Sequence, residues 1–154
     1  MIEIRELDAT EGRKKVLDGV ERRERILLAA FDDAALVGTV QIVPATPPNQ
    51  SHRADVAKLL VRRSARGQGI ATRLMECVED VSRLAGKTLL VLDTVTGDAA
   101  EKLYMRMGWN RVGVIPKYAL FPDGRMCDTT IFSKDLSWGF RLERRCRSLL
   151  SILD

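Results

Sequence analysis

Residues 62–74, RRSARGQGIATRL, gather Arg62, Arg63, Arg66 and Arg73 with Gly67 and Gly69, and no acid lies among them. A turn that opens a helix presents backbone N–H groups without intrahelical partners, and the helix dipole adds partial positive charge at that end. Glycines let the backbone approach a ligand closely or take positive φ, while guanidinium groups offer paired donors to phosphate oxygens. The chemistry available here is anion binding, phosphate above all. The stretch is not a Walker loop, since G-x-x-x-x-G-K-[ST] is absent, nor the dinucleotide fingerprint, since Thr72 stands where the third glycine would be. A second chemical feature is Asp93, which follows the apolar LLVL at the carboxyl end of a strand pattern, where α/β proteins collect their sites.

The elements that must position these residues can be read from periodicity. IEIREL alternates apolar and charged residues as a half-buried strand does, and GRKKVLDGVERRE reads as a polar, helical connection. RILLAAFDD and AALVGTVQIV form a hairpin around Asp32 and Asp33, and PATPPNQS is a proline-rich loop. ADVAKLLV is a strand, Ile70, Leu74, Val78, Val81 and Leu84 step at helical spacing up to Gly86, and KTLLVLDT is a strand apolar on both faces. Strand, basic glycine turn, helix and strand make a βαβ unit whose two strands are parallel. DAAEKLYMRM is a second helix stopped at Gly108, and RVGVIPKYAL and MCDTTIFSKDL are strands joined through the turn PDGR.

At 154 residues and 45% hydrophobic, the chain has the size of one globular domain. Its net charge of +4 is unevenly placed: Lys58, Arg62, Arg63, Arg66 and Arg73 stand unopposed between positions 56 and 75. A second cluster, Arg141, Arg144, Arg145 and Arg147, backs the apolar positions Leu142, Cys146, Leu149 and Leu153 in a basic amphipathic segment over 137–154. Neither cluster contains aromatic stacking residues, so nucleic acid is not an expected partner. Cys77, Cys127 and Cys146 are widely spaced, and His52 is the lone histidine, which indicates neither a disulfide framework nor a metal site. The N-terminus lacks the apolar centre of a signal peptide and no run of about 18 apolar residues occurs, so a cytoplasmic protein with no membrane partner is expected.

The spacing Arg66-x-x-Gly69-x-Ala71, after KLLV and at the head of a long helix, resembles the R/Q-x-x-G-x-G/A motif of the GNAT superfamily of N-acetyltransferases. LYMRMGW, residues 103–109, resembles that superfamily's LYxxxGF, with Trp109 in place of Phe. RADVAKLLV, LLVLDTVTGDAAEKLY and GWNRVGVIPKYALFPDGR are similar to the tabtoxin-resistance branch, whose enzymes acetylate the amine of a small toxin.

The resemblance implies an α/β fold with a central mixed sheet, a βαβ unit for acetyl-CoA and flanking helices, over 1–136. It implies acetyl transfer from acetyl-CoA to a primary amine of an amino-acid-like or toxin-like small molecule through a ternary complex. Arg66, Gly67, Gln68, Gly69, Ile70 and Ala71 would hold the diphosphate, with the neighbouring arginines reaching the remaining phosphate. Leu59, Leu60 and Val61 would hold the pantetheine as a partial extra strand does. Asp55 and Asp93 match the branch's paired acids, credited with general-base function, and Tyr104 matches the tyrosine that protonates the departing thiolate.

A free carboxylate is about six pKa units, or roughly 8 kcal/mol, too weak a base for an ammonium. The acids are therefore expected either to hold the ammonium and pass its proton to water, or to be raised by mutual repulsion and burial. Thr94 and Asp98 are further candidates, although helix capping accounts for Asp98 equally well. Residues 8–24 leave little room for the two helices that usually cover the acceptor in this superfamily. An open groove suited to peptides or proteins, a site completed by a second subunit in a homodimer, and a non-catalytic CoA-binding module are therefore alternatives.

Overall fold

The computed structural model describes residues 1–6, 22 and 24–138; the polar connection before residue 22 and the basic C-terminal segment beyond Trp138 lie outside the described residues. The strands are β1 (Ile2–Glu6), β2 (Ile26–Asp32), β3 (Ala35–Pro44), β4 (Arg53–Val61), β5 (Leu89–Val95), β6 (Asn110–Leu120) and β7 (Met126–Asp135). Among the described residues the α-helices are α1 (Ile70–Leu84) and α2 (Ala99–Arg106). All seven strands form one mixed sheet in the order β1-β2-β3-β4-β5-β7-β6.

β2 and β3 turn through Asp33, whose φ of 50° is a left-handed conformation that aspartate tolerates better than most residues. β2 is buried on both faces: Leu28 and Ala30 join the main core, while Leu27 and Ala29 pack with Phe31 on the other side. α1 lays Ile70, Leu74, Met75, Cys77 and Val78 on the first of these faces, against β1 to β4. It ends where Gly86 takes φ 75° and the N–H groups of Gly86 and Lys87 close on the carbonyls of Arg83 and Ser82. Cys77 is disulfide-bonded, where the cysteine spacing indicated no disulfide framework.

Gly38 on β3 sets how closely α1 approaches. A Cβ there would stand 3.1 Å from the Leu60 carbonyl oxygen, 3.1 Å from Leu74 Cδ1 and 3.2 Å from Ile70 Cγ2. The bare backbone thus lets the first turns of α1, and with them the glycine turn, press onto β3 and β4. α2 rests on the same core through Leu103 and Tyr104, and Asp98 caps it by accepting from the Ala99 N–H at 2.7 Å.

The expected parallel pairing of β4 with β5 is present but short, running only from Arg53–Leu89 to Asp55–Val91. Beyond that point β4 stays with β3 as far as Val61, while β5 stays with β7 as far as Val95. The sheet therefore opens between its two central strands, at the carboxyl ends where α/β sites form.

Candidate active site

The opening is bounded on one side by a strand edge without a partner. Past Asp55, β4 pairs with no strand on its β5 side among the described residues, which leaves it an edge there. A bulge sharpens this: the β3–β4 register shifts between Thr39 and Gln41, and Lys58 sits at φ 55°. Beside it lies a cavity of about 410 Å³ walled by Val56–Leu60 of β4, Asp93–Val95 of β5, Asp98 and Tyr104.

A second cavity of about 420 Å³ begins where β4 ends, bordered by Leu59, Val61, Arg66, Gly67, Gly69, Ile70 and Ala71, with Asp98–Ala100, Leu103 and Arg106 of α2 opposite. Leu59, Asp98 and Ala100 border both cavities. Gly67 and Gly69 take φ values of 77° and 74°, and a Cβ added at either would meet no atom of the described residues within 4 Å. Gly69 is the N-cap of α1, and no side chain caps that end. The first N–H groups of a long helix are thus left without a side-chain acceptor, beside open space and a cation. This arrangement suits a diphosphate.

Of the residues named from sequence, Leu59, Val61, Arg66, Gly67, Gly69, Ile70 and Ala71 meet at this cavity, Leu60 lines the neighbouring one, and Gln68 lines neither. The four arginines do not act together. Arg66 borders the cavity and its Nε donates to the Val61 carbonyl at 3.2 Å, whereas Arg62 and Arg63 lie off its wall. Arg73 turns the other way and donates to the Ile2 carbonyl at 2.9 Å, tying α1 to β1. Arg106 of α2, which borders the same cavity as the turn, escaped the sequence reading; its place inside LYMRMGW was the available signal.

Asp55 and Asp93 emerge on the same face of the sheet, away from α1, as the Asp55–Val91 register and the alternation along each strand require. Neither is buried. Asp55 is half exposed and paired with Arg53, Nη1 to Oδ1 at 2.6 Å, while Gln50 Oε1 accepts from the same guanidinium at 3.0 and 2.8 Å. Asp93 is exposed at the rim of the cavity and has no ion-pair partner among the described residues. The geometry suits Asp93 to attracting an ammonium and gives Asp55 a cation of its own.

Tyr104 is only 5% exposed. Its ring packs against Trp109 and Phe132, with centroids 6.0 and 5.5 Å away. Burial, then the charges of Asp98 and Asp93, push its phenol up to about 12, so it stays protonated at neutral pH. Behind it Thr130 donates to Glu101 and lies 2.9 Å from the Thr96 hydroxyl, a polar link holding the first turn of α2 to β7.

A profile of the acetyltransferase (GNAT) family matches residues 3–109, which include both strands of the opening, the glycine turn and Tyr104. The chain belongs to this family. It is 33% identical over 92 residues to N-alpha-acetyltransferase 30 of Schizosaccharomyces pombe; the match takes in 59% of the chain and 61% of that relative, less than two thirds of its length. Among solved structures, a Salmonella typhimurium protein determined with its cofactor acetyl-CoA superposes with a TM-score of 0.79 at 16% identity, over 93% of this chain and 98% of that one. The ribosomal-protein-S18-alanine N-acetyltransferase of Escherichia coli gives 0.75 at 17% identity, over 93% and 99%. At such identities the superpositions establish the GNAT fold alone. None of these three relatives is named as a tabtoxin-resistance enzyme. Among the described residues no helix is long and apolar enough to cross a membrane.

Proposed function

We propose that the chain is an acetyl-CoA-dependent N-acetyltransferase, and that its acceptor is a primary amine entering from the Asp93 side of the opening. The observation that carries this reading is the gap between β4 and β5, which runs from an uncapped helix N-terminus and glycine turn to a buried, protonated tyrosine. The turn from Arg66 to Ala71 binds the diphosphate of the donor through backbone N–H groups, and the free edge of β4 at Leu59–Val61 takes the amides of the pantetheine as a neighbouring strand would. The donor supplies an activated acetyl thioester.

Asp93 holds the incoming ammonium at the rim, and the ammonium proton leaves to water. The free amine attacks the thioester carbon, the carbon–sulfur bond breaks, and the sulfur leaves as a thiolate. Tyr104 donates a hydrogen bond to that sulfur. Asp55, neutralised by Arg53, orients the rim and does not act as the base. Full proton transfer from a phenol near 12 to a thiolate near 8.5 is uphill by roughly 5 kcal/mol, so the tyrosine stabilises charge while solvent completes the protonation.

We assign the acceptor as the α-amine of a peptide or protein. Exposure of Asp93 suits a long acceptor that enters by one end, and the fission-yeast and Escherichia coli relatives are by name N-alpha- and alanine N-acetyltransferases. The toxin-like small amine implied by the narrower sequence resemblance is the rival. Thiol release from acetyl-CoA, measured across a panel of peptides, free amino acids and small amines, decides between them. Faster release with peptides supports the assignment, and faster release with free amino acids or toxin-like amines supports the rival. Binding of acetyl-CoA without release for any acceptor would mark a non-catalytic CoA-binding module.

A further inference from the structure

The acceptor side of the opening carries a charge that the transfer itself does not use. Among the described residues that wall the cavity at Asp93 and Tyr104, Lys58 is the one cation. It is exposed, and its ammonium has no ion-pair or hydrogen-bond partner among the described residues. Arg53, nearer the start of β4, is by contrast already held by Asp55 and Gln50.

The bulge in β4 is what brings Lys58 to the cavity. Ala54 and Val56 are buried on the core face, and unbroken alternation would send Lys58 after them. Instead three steps along β4, from Ala57 to Leu60, oppose two along β3, from Gln41 to Thr39. The extra residue moves the core-facing positions to Leu59 and Val61 and leaves Lys58 outside, at φ 55°. Glycine would take that φ at less cost. What a lysine adds there is a compact charge on a flexible stem.

The strand register shows what that charge faces. Asp55 with Val91 is the last parallel pair, and continuing it would set Ala57 against Asp93, with Lys58 one residue further on. Unlike charges thus flank the opening just beyond the point where the strands part, farther apart than the roughly 4.8 Å between paired strands. No ion pair joins them. An acceptor whose ammonium sits at Asp93 therefore presents its neighbouring group to a cation.

We infer that Lys58 selects acceptors that carry a carboxylate beside the reacting amine, which in a peptide is an aspartate or glutamate within the first two residues. The inference rests on the reading above, in which the α-amine of a peptide enters at Asp93. Ammonium and carboxylate then meet opposite charges on the two edges of the opening, which fixes how the N-terminus lies, and a lysine or arginine in the same place is repelled. A free amino acid offers the same two charges through its α-carboxylate.

Initial rates of thiol release from acetyl-CoA test the inference in the wild type, Lys58→Gln and Lys58→Glu. One arm uses three peptides that differ only in glutamate, glutamine or lysine at the second residue; the other uses a free amino acid and its amide. The wild type is expected to favour the glutamate over the glutamine peptide about fivefold in kcat/KM, chiefly through KM, the scale of an exposed charge pair. The preference should shrink in about 1 M salt. Lys58→Gln is expected to bring the ratio to about one, and Lys58→Glu to turn the preference to the lysine peptide, a reversal that mere loss of structure does not produce. A wild type indifferent to the three peptides, or a Lys58→Glu chain that still favours glutamate, overturns the inference and leaves the acetyl-transfer reading standing. A free amino acid preferred over its amide by more than glutamate over glutamine, with that preference lost in Lys58→Gln, puts the α-carboxylate at Lys58 and overturns the peptide assignment. No thiol release with any acceptor overturns the acetyl-transfer reading itself.

Discussion

Tyr104→Phe separates the chemical role of the phenol from the packing role of its ring. Phenylalanine keeps the contacts with Trp109 and Phe132, at 6.0 and 5.5 Å, so the core should hold and acetyl-CoA should bind as before. What is lost is a hydrogen bond to a charge that develops only in the transition state, about 1.5–3 kcal/mol for a charged partner. The expected outcome is a fall in kcat of about 10- to 150-fold, with little change in the KM for acetyl-CoA.

The raised phenol also gives a signature without substrate. Its folded value of about 12 exceeds the ordinary value of 10.0, so below pH 10 the group is protonated in both folded and unfolded chains and contributes no pH dependence. Between pH 10 and 12 the unfolded chain loses the proton first, and stability falls as pH rises, approaching about 2.7 kcal/mol for two units. Urea unfolding of both proteins from about pH 9 to 11.5 should show the wild type losing more stability than the variant, since other groups titrate alike in the two. Wild-type kcat in the variant, or parallel pH profiles, would refute the reasoning.

Gly38→Ala should cost about 1–3 kcal/mol in urea unfolding, because the nearest obstacle to its methyl is the Leu60 carbonyl, which is backbone and yields little. Gly69→Ala meets no atom of the described residues but must hold φ 74°, so a loss of about 1 kcal/mol is expected together with weaker acetyl-CoA binding by calorimetry, as the methyl intrudes on the diphosphate. Asp55→Asn removes a half-exposed ion pair with Arg53 and should change stability by at most about 1 kcal/mol, with kcat reduced less than by the same change at Asp93.

Local chemistry was legible in the sequence where one stretch of chain fixes it. The glycine turn, the apolar stripe of α1 and the Asp98 cap on α2 each depend on residues a few positions apart, so their spacing carried them. The parallel pairing of β4 and β5 also followed, from the turn and helix that separate the two strands. What spacing could not carry was where that pairing stops, since the separation after Asp55 depends on β5 being drawn to β7 and β4 being held by β3. The bulge at Lys58 escaped for the same reason: no residue type marks it, and the lysine at positive φ lies between Ala57 and Leu60, which pair with β3. Charge was the weakest guide. Arg73 looked like part of the phosphate cluster and instead holds β1, whereas Arg106, distant in the chain, borders the same cavity as the turn.

The most direct test of the account is mass analysis of a peptide acceptor incubated with acetyl-CoA and either the wild-type chain or Asp93→Asn, alongside calorimetric binding of acetyl-CoA to both. One acetyl group on the α-amine is expected with the wild type, and retained donor binding with a large loss of product with Asp93→Asn. Full turnover by Asp93→Asn, or a wild-type chain that neither binds acetyl-CoA nor modifies any amine, would contradict it.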